Sequence, residues 1–158
     1  MIALYQGTGL LSWWIKTRTW SKYSHASWIL SDGTEIEAWG SHGICHNKIF
    51  GCFHAQGTKV DLFDFKTVLT REENMKAEAF LLAQVGKKYD YIGLFRFLPI
   101  VRWFVDSNDN SDKWFCSELC SETCNVAGRP VINKPSFMVE PAELATSEEL
   151  KYIATRIV

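Results

Sequence analysis

Cys116 stands in the stretch Trp114-Phe115-Cys116-Ser117-Glu118-Leu119-Cys120, where a polar loop, Ser107 to Lys113, gives way to a helix-like run. A thiol at that place meets the unpaired N–H groups and the positive end of a helix, and both favour thiolate. Thiol catalysis also needs a base to hand a proton to the leaving group, and a partner that fixes the base's tautomer. His25 in Ser-His-Ala and Glu37 in Glu-Ile-Glu-Ala-Trp supply those two residue types far upstream. Base, orienter, nucleophile is an allowed chain order, because such triads are defined in space. The N–H groups of Cys116 and Ser117 would then form an oxyanion hole. The ordinary alternative is an inert buried cysteine and a structural histidine.

The elements that must position these residues are legible in the pattern. His25 to Leu30 is a strand-like run, Ser31-Asp32-Gly33 a hairpin turn, and Thr34 to Trp39 the returning strand. Alternation puts Ile36 and Ala38 on one face and Glu35, Glu37 and Trp39 on the other, so the hairpin brings Glu37 near His25. The pairing register is fixed only to within a residue, which leaves Glu35, on the same face, as the competing orienter. Ile2 to Tyr5 reads as a short strand, 10–19 as a short helix, Gly43 to Ile49 as a short strand and Lys59 to Phe65 as another. Thr70 and Glu73 form a capping box before a helix that runs to Val85 and stops at Gly86. Lys87 to Tyr91 is expected as a loop carrying an aromatic pair, and 92–105 as an apolar lid or wall. A second long helix starts near Cys116, Pro130, Pro135 and Pro141 mark irregular chain, and Tyr152 to Ile157 suits a final strand. The sum is α+β, with helices flanking a mainly antiparallel sheet.

The bulk numbers narrow the function. At 158 residues the chain suits one domain with a sizeable core, rich in apolar (47%) and aromatic (14%) side chains. A net charge of −1 gives no electrostatic footprint for nucleic acid or an anionic membrane. No signal peptide follows Met1, and 91–105 is too short and too charged to span a bilayer, so a cytoplasmic location is expected. The 5 cysteines, an odd number in that setting, are read as mostly free thiols.

Other constellations carry less. His42, Cys45, His46, Cys52 and His54 crowd one stretch but lack the paired knuckles of a structural zinc site. No metal or cofactor is therefore assigned, and His42 or His46 is at most part of a cleft wall. Trp13, Trp14 and Trp20 precede His25 closely enough to surround its approach, although most tryptophans are core. Tyr89, Tyr91, Trp114 and Ser117 are candidates for substrate contact. Glu118 reads as an acid matching the helix N-terminus, and Cys120 and Cys124 continue the stripe of Cys116 as a packing face.

Four motifs give these residues a family likeness. Tyr23-Ser24-His25-Ala26, Ile36-Glu37-Ala38 after an Asp-Gly turn, Gly86-Lys-Lys-Tyr89-Asp90-Tyr91, and Trp114-Phe-Cys116-Ser-Glu118-Leu fall in an order and spacing that resemble the circularly permuted NlpC/p60 papain-like superfamily, of the YaeF/YiiX permuted amidase type. The likeness covers roughly 20–145. It implies a papain-like core, with a cysteine-bearing helix packed on an antiparallel sheet bearing histidine, and a Cys116–His25–Glu37 triad. The implied activity is a cysteine amide hydrolase acting on a peptide or γ-glutamyl-type amide, such as a cell-wall peptide. One alternative is a thioester-forming acyltransferase or thioesterase of the lecithin:retinol acyltransferase type, for which an apolar 92–105 segment would suit a lipid chain. The other is a ligand-binding module in which the cysteine is incidental.

Overall fold

A computed structural model describes residues 1–50, 53–91, 93 and 112–158. Its elements in chain order are β1 (Ile2–Tyr5), α1 (Leu10–Thr19), β2 (His25–Ile29), β3 (Thr34–Trp39), β4 (Gly43–Lys48), β5 (Lys59–Phe65), α2 (Arg71–Gln84), β6 (Lys88–Tyr89), β7 (Lys113–Trp114), α3 (Cys116–Val126), α4 (Pro141–Thr146) and β8 (Leu150–Ile157). Among the described residues, six strands make one antiparallel sheet in the order β4-β3-β2-β1-β5-β8.

Strict alternation along the central strands gives the sheet two unlike faces. Ile2, Leu4, Ala26, Trp28, Ile36, Ala38, Phe63 and Phe65 form one core with Ala77 and Leu81 of α2 and with Cys116, Leu119, Cys120 and Cys124 of α3. The opposite face carries a smaller apolar cluster of Ala3, Tyr5, Ile29, Val60 and Leu62. The buried polar side chains Ser27, Glu35 and Glu37 alternate with the main-core residues along the same strands. A buried polar group must be hydrogen-bonded, so this second face is where a site is expected.

The β2–β3 hairpin closes as its Asp-Gly turn demands. Gly33 has φ +80°, its N–H meets the Leu30 carbonyl, and Asp32 Oδ1 accepts from the Thr34 N–H at 2.8 Å. The register pairs Ser27 with Glu37, which leaves His25 two residues away on the diagonal, within side-chain reach. The Thr70 capping box is present in both directions, at 3.2 and 2.7 Å.

Two expectations change. Lys87 to Tyr91 is not wholly loop, because Lys88–Tyr89 pairs in parallel with Lys113–Trp114 and so ties the aromatic pair to the segment just before Cys116. The proline-marked stretch is also more regular than expected. It holds a 3-10 turn at Ser136–Met138, and α4 opens on Pro141, whose fixed φ and missing N–H suit a first helical position. The apolar lid or wall expected over 92–105 lies outside the described residues, Gly93 excepted. No helix among the described residues is long and apolar enough to cross a membrane.

Candidate functional site

Cys116 is the first residue of α3. The Phe115 backbone N–H donates to Glu118 Oε2 at 3.3 Å, so Glu118 helps close the helix start. His25 is the first residue of β2, at the rim of the sheet, and lies close enough to Cys116 for imidazole and thiol to interact as charges. Its Nε2 lies 3.0 Å from Glu37 Oε2, leaving the other ring nitrogen for the sulfur. The three residues singled out by type and spacing therefore form one connected line.

The electrostatics follow from that line. Burial alone would raise the Cys116 pKa. The His25 imidazolium and the backbone N–H groups of Ala26 and Ser117 outweigh burial and hold the thiol below its ordinary value. Burial alone would make His25 a weaker base, yet the charge of Cys116 and the hydrogen bond to Glu37 raise it to about 10. Glu37 is fully buried; bonds from His25 and His54 overcome its desolvation and keep it well below the usual carboxylate range. Cys120 and Cys124, on the same helix with no such partner, are pushed the other way by burial, Cys124 to about 12.

Glu37, not Glu35, orients His25. Glu35 instead accepts from the Tyr5 and Ser27 hydroxyls and from the Phe50 N–H at 2.6 Å. Burial raises its pKa despite those donors. Both carboxylates lie on the polar face, as the alternation predicts.

His54 is the functional residue that sequence reasoning missed. Its Nε2 lies 3.1 Å from Glu37 Oε2, the same oxygen that His25 meets, and its ring stacks on Tyr5 with centroids 3.8 Å apart. Glu37 Oε1 accepts from Asn47 Nδ2 at 3.0 Å. Of the described members of the crowded His/Cys stretch, His54 belongs to a converging group of three such side chains. His42 bonds Ser41 and stacks on Phe53, and His46 bonds Thr34. His54 finds its partners outside the stretch, on β2 and β3, and no local spacing announces that.

A cavity of about 410 Å³ opens beside these groups. His25, His54, Trp39, Phe53, Tyr89 and Tyr91 are among its walls, and Cys116 is not. Tyr89 and Tyr91 thus reach the place expected of substrate contacts. Trp114 does not: it is buried, donates from Nε1 to Gln84 Oε1 at 3.1 Å and packs edge-on against Phe80. The Ser117 side chain is likewise spent, donating to the Val139 carbonyl at 2.7 Å with no exposed surface, so only its N–H faces the thiol. The tryptophans of the first helix do not wall the approach either; α1 contributes Ser12 and Ile15, while Trp13 and Trp20 point to solvent. Neither His42 nor His46 lines the cavity; His54 does.

The ligand-bearing atoms of His25, Glu37 and His54 all lie within 4.8 Å of one another. Two imidazoles and a carboxylate are a donor set typical of catalytic zinc, and an ion about 2.0–2.2 Å from each donor would hold neighbouring donors roughly 3.3 Å apart. The two His–Glu37 distances, 3.0 and 3.1 Å, are close to that spacing, and the third pair lies within 4.8 Å, so the donor set suits a divalent cation.

No protein-family model matches the chain, and no curated protein does. Among solved structures, one described as the metalloprotein yiiX from Escherichia coli O157:H7, DUF1105, superposes with a TM-score of 0.68 over 98% of this chain and 95% of that one. The two sequences are 16% identical, so the likeness shows a shared fold. The chain has a yiiX-type α+β fold, built on a six-stranded antiparallel sheet with helices.

Proposed function

We propose that this protein is a papain-like cysteine hydrolase of the circularly permuted NlpC/p60 kind that cleaves a peptide or acyl amide. The observation that carries the reading is the placement of Cys116, where α3 begins, beside a His25 whose ring is hydrogen-bonded to buried Glu37. In the proposed cycle the Cys116 thiolate attacks the amide carbonyl carbon. The oxyanion that forms takes the N–H groups of Cys116 and Ser117, which have no acceptor within the helix at its first turn. His25 gives its thiol-facing proton to the leaving nitrogen, and the C–N bond breaks to leave an acyl thioester on Cys116. His25 then takes a proton from water, the hydroxyl adds to the thioester carbon, and the acid departs as thiolate and imidazolium are restored. Glu37 holds the ring in register and balances its charge throughout. The aromatic cavity walls at Trp39, Tyr89 and Tyr91 supply an apolar seat for the group flanking the bond.

The test is mass spectrometry of the intact protein after exposure to a panel of γ-glutamyl anilides, cell-wall peptides and p-nitrophenyl acyl esters. An acyl mass increment on wild type that maps to Cys116 and vanishes in Cys116→Ala supports the reading. Turnover of amides names an amidase, and turnover of acyl esters alone names the acyltransferase-type alternative. Turnover that persists in Cys116→Ala sinks the thiol mechanism.

A second reading has its own observation behind it. The yiiX structure is titled a metalloprotein, and the donors of His25, Glu37 and His54 converge in this chain. Under it the three side chains hold a resident divalent cation, which when bound would supply Lewis-acid activation of water, and Cys116 is incidental. The thiol reading is preferred because it also accounts for the placement of Cys116 against His25.

A further inference from the structure

A thiol triad needs one imidazole on its carboxylate, and this site has two. Glu37 Oε2 meets His25 Nε2 at 3.0 Å and His54 Nε2 at 3.1 Å. His54 is almost fully enclosed yet lines the cavity with His25, so a small solute can reach the two imidazoles, with the buried Glu37 carboxylate behind them. The surroundings also suit a metal centre. Tyr5 stacks on His54, and Asn47 donates to the second oxygen of Glu37. Such outer partners fix ligand orientation and sharpen affinity.

We propose that His25, Glu37 and His54 bind a divalent cation of the zinc class, and that this binding and the Cys116 chemistry exclude each other. The second half of the proposal rests on the thiol reading. Both uses draw on the same two atoms, His25 Nε2 and Glu37 Oε2. With its Nε2 lone pair on a cation, His25 has released that proton to solvent and keeps one proton on the thiol-facing nitrogen. Passing that proton to the leaving nitrogen would leave an imidazolate, so the ring no longer serves as the imidazolium acid that the first proton transfer needs, and the cycle stalls there. Glu37, its oxygen shared with the ion, no longer holds an imidazolium. The cluster would therefore work as a reversible off-switch for the hydrolase, read by the concentration of free divalent cation. Cys116 is not among the converging donors.

Calorimetric titration of chelator-treated protein with zinc chloride tests the site, alongside turnover of p-nitrophenyl acetate in the same samples. One zinc per chain is expected in wild type and in Cys116→Ala with the same affinity, and binding weaker in His54→Gln by more than the roughly 10–100-fold that loss of an outer partner costs, because a ligand itself is lost. X-ray absorption of the zinc-loaded wild type should show nitrogen and oxygen neighbours without sulfur, which checks the donor set even if His54→Gln fails to fold. Wild-type turnover should fall with zinc occupancy and return on adding EDTA. Absence of stoichiometric zinc, a sulfur neighbour, or binding unchanged in a folded His54→Gln overturns the site. Zinc that binds without lowering turnover, or that raises it, overturns the exclusion. Chelated protein that acylates with none of the panel sinks the thiol reading and the exclusion with it, while the calorimetry still decides the metal site.

Discussion

Three cysteines on one helix make the residue-scale argument, because they share a backbone and differ only in partners. Cys116 faces His25 and two backbone N–H groups, whereas Cys120 and Cys124 face the apolar core. An ordinary thiol of pKa about 8.5 is roughly 1% thiolate two units below that value. In chelator-containing buffer near pH 6.5, iodoacetamide should therefore label Cys116 ahead of Cys45, and leave Cys120 and Cys124 unlabelled until the protein unfolds. His25→Ala should remove the lead of Cys116. Peptide mapping of each labelled site decides it, and a Cys116 that lags Cys45 in the native wild type would contradict the ion pair. Glu37→Gln keeps the shape of the orienter but not its charge, so the proposed turnover should drop by about 10²–10⁴-fold with the fold retained. An unchanged rate would remove Glu37 from the mechanism.

Elements place these residues, and one glycine shows how tightly. Gly43 opens β4 at φ +74°, and a Cβ there would stand 2.2 Å from the Lys87 carbonyl oxygen. That same carbonyl accepts from the Ile44 N–H at 2.9 Å and seats β4 against the segment leading to Tyr89. Gly43→Ala combines a strained backbone with a backbone clash, and should cost about 2–4 kcal/mol in urea unfolding. Gly57→Ala, at φ +86° with open space around it, should cost less. Most of this layer was legible in the sequence. The Asp-Gly turn and the alternation of Ile36 and Ala38 against Glu35 and Glu37 placed His25 and Glu37 together, and the polar loop Ser107 to Lys113 giving way to a helix-like run placed Cys116 at a helix start. The choice of Glu37 over Glu35 was not legible, since it depends on a register that only the folded sheet settles. His54 was hidden for a similar reason: its partners lie 17 and 29 residues upstream, across two strands. Trp114 and Ser117 misled because a motif neighbour of a nucleophile can as readily face the core as the cleft.

At the scale of the whole molecule, one buried carboxylate outside the site joins distant parts of the chain. Asp61 on β5 accepts from Lys22 Nζ at 2.8 Å and from the Tyr23 hydroxyl at 2.7 Å. The Gln6 amide reaches it at 3.2 Å, and the Thr155 hydroxyl of β8 at 2.5 Å. It thus ties the end of β1, the approach to β2 and the last strand to the centre of the sheet. Burial would raise its pKa, but the bonds from Lys22, Thr155 and Tyr23 prevail and hold it at about 2 against an ordinary 3.8. A carboxyl whose folded pKa is depressed binds protons more readily in the unfolded chain, so its stabilising contribution is complete above pH 4 and fades as pH falls toward 2. The shift corresponds to about 2 kcal/mol. Asp61→Asn keeps the shape and forgoes the charge, so the gap between its urea midpoint and that of wild type should be widest at neutral pH and shrink between pH 4 and 2. Other carboxylates, Glu37 among them, also titrate in wild type, but they titrate in the variant as well and cancel in the difference. A gap that stays constant across that range would mean that Asp61 contributes by packing alone, and that the acid sensitivity of the fold lies elsewhere.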